Sequence, residues 1–125
     1  MKESKQTESS ILHGIQQALG MRGWRIWRMP PSIYGKKGLP DLCCCKYGIT
    51  AWIECKSERG KMSIYQERFA KEVDMAGGLY ILARSVEFAV KAIDGIEIAF
   101  MDLRGEVSGT IKPDKRMKLI IREEG

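Results

Sequence analysis

Gly38-Leu39-Pro40-Asp41-Leu42-Cys43-Cys44-Cys45, continued through Lys46-Tyr47-Gly48 into Ile49-Thr50-Ala51-Trp52-Ile53-Glu54-Cys55-Lys56, is the stretch on which the fold turns. The second run is β-branched and aromatic enough to read as a strand. Asp41 to Cys45 reads as the strand before it, and Lys46-Tyr47-Gly48 as the connection. Side chains alternate along a strand, so Glu54 and Lys56 share a face with Trp52, while Ile53 and Cys55 point the opposite way, into a core. A hairpin brings Asp41 near the end of the Glu54 strand.

Two carboxylates and an amine gathered this way suit metal-dependent phosphodiester chemistry. A hard cation such as Mg²⁺ prefers oxygen ligands and keeps several waters, so two carboxylates and a backbone carbonyl make a workable half-site. Such an ion can stabilise charge on a phosphate and acidify a water, and a neighbouring lysine can act as a point cation. A surface hairpin with merely solvated charges is the bland alternative, in which a Glu-x-Lys pair is worth little. Trp52 on the same face would be awkward there, and Pro40 ahead of Asp41 suggests a fixed strand entry.

Outward from this hairpin, Leu12, Ile15 and Leu19 recur at helical spacing, with Glu8 one turn earlier on the same stripe. Glu8 reads equally as a first-helix carboxylate near the metal or as an N-terminal acid favoured by the helix dipole. His13 falls beside the polar face and reads as a surface residue. Trp24 to Met29 reads as the first strand, stopped by Pro30-Pro31.

Ser32 to Gly38 combines Tyr34, glycines, Lys36 and Lys37 directly before Asp41, which suits a loop that tracks a phosphate backbone and stacks on a base. Arg59 and Lys61 are further candidate phosphate contacts in the loop after Lys56. Ser63-Ile64-Tyr65-Gln66 has the capping-box pattern, opening a helix with Phe69, Val73 and Ala76 on one side and ending at Gly77-Gly78. Gln66 thus has a complete structural explanation as the N3 residue.

Leu79 to Ala83 reads as a buried strand, and Ser85 as the cap of a helix through Ile93. Ile96 to Thr110 is expected to form a hairpin around Arg104-Gly105, and Leu119-Ile120-Ile121 an edge strand or dimer contact. Lys112, Lys115, Arg116 and Lys118 form a basic segment that reads as a second DNA contact or a solvated strand edge.

A chain of 125 residues reads as one domain, residues 1–125, and its net charge of +5 suits a phosphate-backbone partner. No apolar run reaches the length of a membrane span and Met1-Lys2-Glu3-Ser4-Lys5 has no secretory pattern, so a cytoplasmic protein is expected. Adjacent Cys43, Cys44 and Cys45 point alternately to opposite faces and could not easily close a tetrahedral zinc site; core packing is the favoured reading.

Gly38-Leu39-Pro40-Asp41-Leu42, Trp52-Ile53-Glu54-Cys55-Lys56, Gly60-Lys61-Met62-Ser63 and Gln66, in that order, resemble the PD-(D/E)xK nuclease superfamily, and within it the virus-type replication-repair nuclease (VRR-NUC) family. The likeness runs from Glu8 to the Leu79–Ala83 strand. It implies that Asp41 and Glu54 bind the metal, that Cys55 lends its carbonyl, that Lys56 is catalytic, and that Gln66 and Glu8 support the site. Cysteine at position 55 departs from the usual β-branched residue, but only its carbonyl is implicated.

The expected fold is α/β, a restriction-endonuclease-like mixed β-sheet flanked by helices. The expected activity is a Mg²⁺- or Mn²⁺-dependent DNA endonuclease, selective for branched or junction DNA and acting as a homodimer. A catalytically silent nucleic-acid-binding module of the same fold, or an RNA-cleaving or exonucleolytic relative, is the alternative.

Overall fold

A computed structural model describes residues 6–30, 35–106 and 120–124. Helix α1 (Glu8–Met21) starts where Thr7 Oγ1 accepts from the Ser10 amide at 3.0 Å, and it buries Ile11, Leu12, Ile15 and Leu19. Strands β1 (Arg25–Arg28), β2 (Leu42–Lys46) and β3 (Ile49–Cys55) form an antiparallel meander. The β2–β3 turn has Tyr47 at φ 55° and Gly48 at φ 79°, the two left-handed positions that a tight two-residue hairpin demands.

Helix α2 (Ile64–Met75) then carries the chain to β4 (Leu79–Ala83), which runs parallel to β3. Helix α3 (Val86–Glu106) follows, and β5 (Ile120–Arg122) pairs parallel with β4. Among the described residues the result is a mixed five-stranded sheet in the order β1-β2-β3-β4-β5.

The two faces of this sheet are unequal. On one, α1 and α3 pack over Leu42, Cys44, Ala51, Ile53, Cys55, Ile81 and Ala83 in the main core. On the other, α2 covers a smaller cluster in which Phe69 meets Trp52 edge-on, with ring centroids 5.2 Å apart, and also touches Tyr80. Strand alternation explains the division: Ile53 and Cys55 enter the large core, while Trp52 faces α2 together with Glu54. The cysteines obey the same rule. Cys44 and Cys55 are buried in the main core, whereas Cys43 and Cys45 lie half-buried on the opposite face, and all four are free thiols.

The expected hairpin from Ile96 is overturned, because α3 continues through this segment to Glu106. Buried Ala89, Ile93 and Ile96 and partly buried Phe100 continue one apolar stripe at helical spacing against the core. That burial outweighs the turn tendency of Arg104-Gly105 and the roughly 1 kcal/mol helix penalty of a glycine such as Gly95. Residues 107–110 of the expected hairpin, like Lys112, Lys115, Arg116 and Lys118, lie outside the described residues. The edge-strand reading of Ile120 and Ile121 agrees with β5.

Gly38 fixes how the loop before β2 meets α2. Its φ is +86°, and a Cβ there would fall 2.2 Å from the carbonyl oxygen of Tyr65 and 2.8 Å from the Gln66 nitrogen. Gly38→Ala is therefore expected to destabilise the protein by about 2 kcal/mol or more, since backbone on both sides must shift. Equilibrium denaturation measures this, and an unchanged midpoint would refute the close approach.

Candidate active site

Asp41 stands immediately before β2, where the Met29 amide donates to its carbonyl at 2.8 Å and buried Pro40 precedes it. Its side chain reaches across to the last residue of β3: Oδ2 accepts from the Cys55 amide at 2.8 Å. That bond ties the start of one strand to the end of the next and sets the carboxylate beside Glu54.

Glu54 is only 2% exposed and is the one buried charged residue among those described. Its Oε2 meets no donor, and Lys56 Nζ lies 3.9 Å from its Oε1. Burial first, then a hydrogen bond with Asp41 and the charge of Asp41, push the Glu54 carboxyl well above the usual carboxylate range, with Lys56 opposing. The buried phenol of Tyr80 also feels this site, since burial and then the charge of Glu54 raise its pKa.

The loop after β3 collects the remaining groups. Glu8, exposed in the first turn of α1, accepts from the Ser57 amide at 3.3 Å. A Cβ on Gly60 would lie 3.0 Å from Glu8 Oε1 and 3.3 Å from Lys56 Cδ, so this carboxylate, the lysine stem and the loop meet at one point. The thiol of Cys55 is turned into the core, which leaves its backbone on the side of Asp41.

Gln66 completes the expected capping box: its Oε1 accepts from the Ser63 amide at 2.8 Å, and its own amide donates to Ser63 Oγ at 3.2 Å. It also lines, with Asp41, Ser63, Tyr65, Arg28 and Lys37, a cleft of about 490 Å³. The capping role and a place beside the site therefore coexist.

The two loop lysines differ. Lys37 Nζ stands 4.9 Å from the centroid of the Tyr65 ring and lines the cleft. Lys36 is paired with Glu72 of α2 at 2.9 Å, away from Asp41. Arg59 and Lys61 are exposed on the loop after β3, and Tyr34 lies outside the described residues.

Among the described residues, no three metal-ligating side chains cluster. The donor set offered here is smaller: two carboxylates, one with an unpartnered buried oxygen, next to backbone. That set fits a hard divalent cation that retains water, and it does not fit a closed zinc site.

A family model described as archaeal Holliday junction resolvase (Hjc) matches residues 5–87. The chain belongs to the archaeal Holliday junction resolvase family. The matched span contains Glu8, Asp41, Glu54, Cys55, Lys56 and Gln66, and membership bears out the PD-(D/E)xK resemblance and makes this a nuclease family. Among solved structures, a VRR_NUC domain superposes with a TM-score of 0.62 at 21% identity, covering 71% of this chain and 97% of that one. The fold is therefore the one shared with that domain. No curated protein matches the chain significantly.

Sequence reasoning about this family member missed Arg28 and Tyr65, which enter the cleft only because β1 and the start of α2 flank Asp41. The exposed aromatic one residue before Gln66 was the available signal for Tyr65. Arg28, one of two arginines bracketing Ile26-Trp27, carried none.

The raised pKa of Glu54 sets a pH dependence in metal-free protein. A carboxyl whose folded pKa exceeds its unfolded value of about 4.3 favours folding most at low pH, and that contribution is lost as pH rises above this value toward the raised folded one. In EDTA, Glu54→Gln should flatten the decline and melt at least ~4 °C above the native protein at pH 8. Melting curves at pH 5 and pH 8 decide it; identical pH slopes for the two proteins would contradict the upward shift that burial, and then Asp41, impose on Glu54.

Proposed function

We propose that this protein is a Mg²⁺- or Mn²⁺-dependent endonuclease that hydrolyses phosphodiester bonds in branched DNA, the four-way junction foremost. The observation that carries the reading is the buried Glu54 carboxyl, forced against Asp41 with an oxygen that has no donor, and Lys56 beside it. Placing a buried acid there is costly for a binding module and useful for an enzyme. Membership in the junction-resolvase family supports the substrate class.

Asp41, Glu54 and the Cys55 carbonyl are the groups that would hold the cation. When bound, it supplies charge stabilisation at the scissile phosphate and acidifies water. The chain's own residues do the rest. The Cys55 amide fixes the rotamer of Asp41. Lys56 places a positive charge next to the carboxylates, where it can neutralise charge developing on phosphate oxygens. Glu8 and Gln66 border the same site, one from α1 and one from α2, and orient groups around it.

Arg28 and Lys37 line the cleft with cations for the flanking phosphates, and Tyr65 offers a ring on which a base can stack. Arg59 and Lys61, exposed on the loop after Lys56, are further candidate phosphate contacts on this reading. The described residues carry one such site, so cutting both strands of a junction calls for a symmetric homodimer. No helix among the described residues is long and apolar enough to cross a membrane.

A cleavage panel of four-way-junction, flapped, duplex and single-stranded DNA plus RNA, with Mg²⁺, Mn²⁺ or EDTA, tests the proposal. Metal-dependent internal cuts in the junction are expected. Junction binding without cleavage would identify a silent module instead, and preferential RNA or end-directed cleavage a different nuclease. Asp41→Ala and Glu54→Ala should each abolish Mn²⁺ binding and cleavage but retain DNA binding. Lys56→Ala should keep Mn²⁺ and lose rate by roughly two orders of magnitude.

The two loop lysines separate in salt titrations of binding. Lys37→Ala should reduce the log–log slope by about one, as expected for one lost phosphate contact. Lys36→Ala should change it less, because Glu72 already neutralises that ammonium. Equal effects would place both side chains on phosphate.

A further inference from the structure

Beyond the span matched by the family model, the chain returns to the site through β5 and Glu123. The Glu123 amide donates to the Leu82 carbonyl at 2.9 Å, extending the β4–β5 ladder by one bond. Its carboxylate accepts from the Arg84 amide at 2.8 Å and from the Ser85 hydroxyl at 3.0 and 3.1 Å. Its carbonyl accepts from Arg84 Nε at 3.2 Å. The arginine is therefore gripped at both its backbone and its guanidinium by one residue of the C-terminal segment.

The other side of that guanidinium faces the loop after Lys56. Arg84 Nη1 donates to the carbonyls of Ser57 and Gly60, each at 2.7 Å, and approaches that of Glu58 at 3.2 Å. Three carbonyls converge on one nitrogen, whose two N–H groups must be shared among them, and Glu123 holds the guanidinium from behind. The same loop offers the Ser57 amide to Glu8 at 3.3 Å. A continuous chain of hydrogen bonds thus runs from Glu123 through Arg84 and the loop to the acid of α1. A second tie from β5, the bidentate Arg122–Glu67 pair at 3.0 and 2.9 Å, reaches the first turn of α2.

We infer that Arg84 and Glu123 are positioning residues for the nuclease reaction, with Glu123 orienting Arg84 and Arg84 holding the Ser57–Gly60 loop so that Lys56 and Glu8 stay aligned at the site. The inference rests on the nuclease reading above. Asp41 is fastened separately, by the Cys55 amide, and Glu54 is held within β3, so the clip governs alignment and not the carboxylate pair.

The test compares native protein with Arg84→Ala and Glu123→Gln in Mn²⁺ calorimetry, junction binding, single-turnover cleavage and amide hydrogen exchange of residues 57–60. Arg84→Ala is expected to lose about tenfold to a hundredfold in single-turnover rate, the range for small misplacements of reacting groups, with Mn²⁺ and junction affinities unchanged. The Gly60 amide, which donates to the Ser57 carbonyl at 3.1 Å, should exchange faster. Millimolar guanidinium should restore part of the rate, whereas it would leave the rate of a merely destabilised protein unchanged. Glu123→Gln, which keeps shape and loses charge, should shift rate and exchange the same way by less.

Native exchange at residues 57–60 in both variants, or a rate loss that guanidinium does not relieve and that is matched by lost Mn²⁺ affinity, would overturn the inference. The exchange readout needs no substrate. Failure of the native protein to cut any junction with Mn²⁺ instead counts against the proposed function.

Discussion

The structure depends on holding two carboxyl groups together in a place that water barely reaches. Glu54 is buried on β3, and Asp41 is kept beside it by the 2.8 Å bond from the Cys55 amide. Like charges so close in a region of low dielectric oppose one another, and the cost falls on the fold unless a proton or a cation is shared between them. The remainder of the domain can be understood as what makes that placement rigid.

Rigidity comes from packing both faces of the sheet at unequal depth. Helices α1 and α3 seal the face below Ile53 and Cys55 with a broad apolar core. Helix α2 covers the other face with a compact aromatic cluster of Trp52, Phe69 and Tyr80. Glu54 sits beyond Trp52 on that second face, where apolar cover gives way to the cleft lined by Asp41 and Gln66. Burial beside the small cluster desolvates the acid, and its neighbour Asp41 lines the adjacent opening. Two cations from separate places, Arg28 at the end of β1 and Lys37 in the loop before β2, line this opening, and Lys56 after β3 stands beside Glu54.

Local chemistry made much of this legible. The alternation of Trp52, Glu54 and Lys56 against Ile53 and Cys55 is a strand pattern with a period of two, and the structure keeps every one of those orientations. The Ser63–Gln66 capping box likewise involves only neighbouring residues and formed as expected. The misreading of α3 has the opposite origin. Gly105 signals a turn locally, but the stripe of Ala89, Ile93, Ile96 and Phe100 finds a long apolar surface to cover, and tertiary burial prevails. The dual reading of Glu8 had the same cause: nothing within α1 reveals that the Ser57–Gly60 loop comes to meet its first turn.

What the sequence by itself determined is which side chains share a face and which residues begin and end the elements, because those follow from backbone periods and capping over a few residues. Only the tertiary structure decided that Asp41 bonds to the Cys55 amide, that Lys36 is spent on Glu72 while Lys37 faces the cleft, and that Glu123 reaches back to Arg84. Each of those contacts joins residues far apart in the chain. Its geometry is set by how helices and sheet pack, and a pattern of neighbouring residues does not encode that distance.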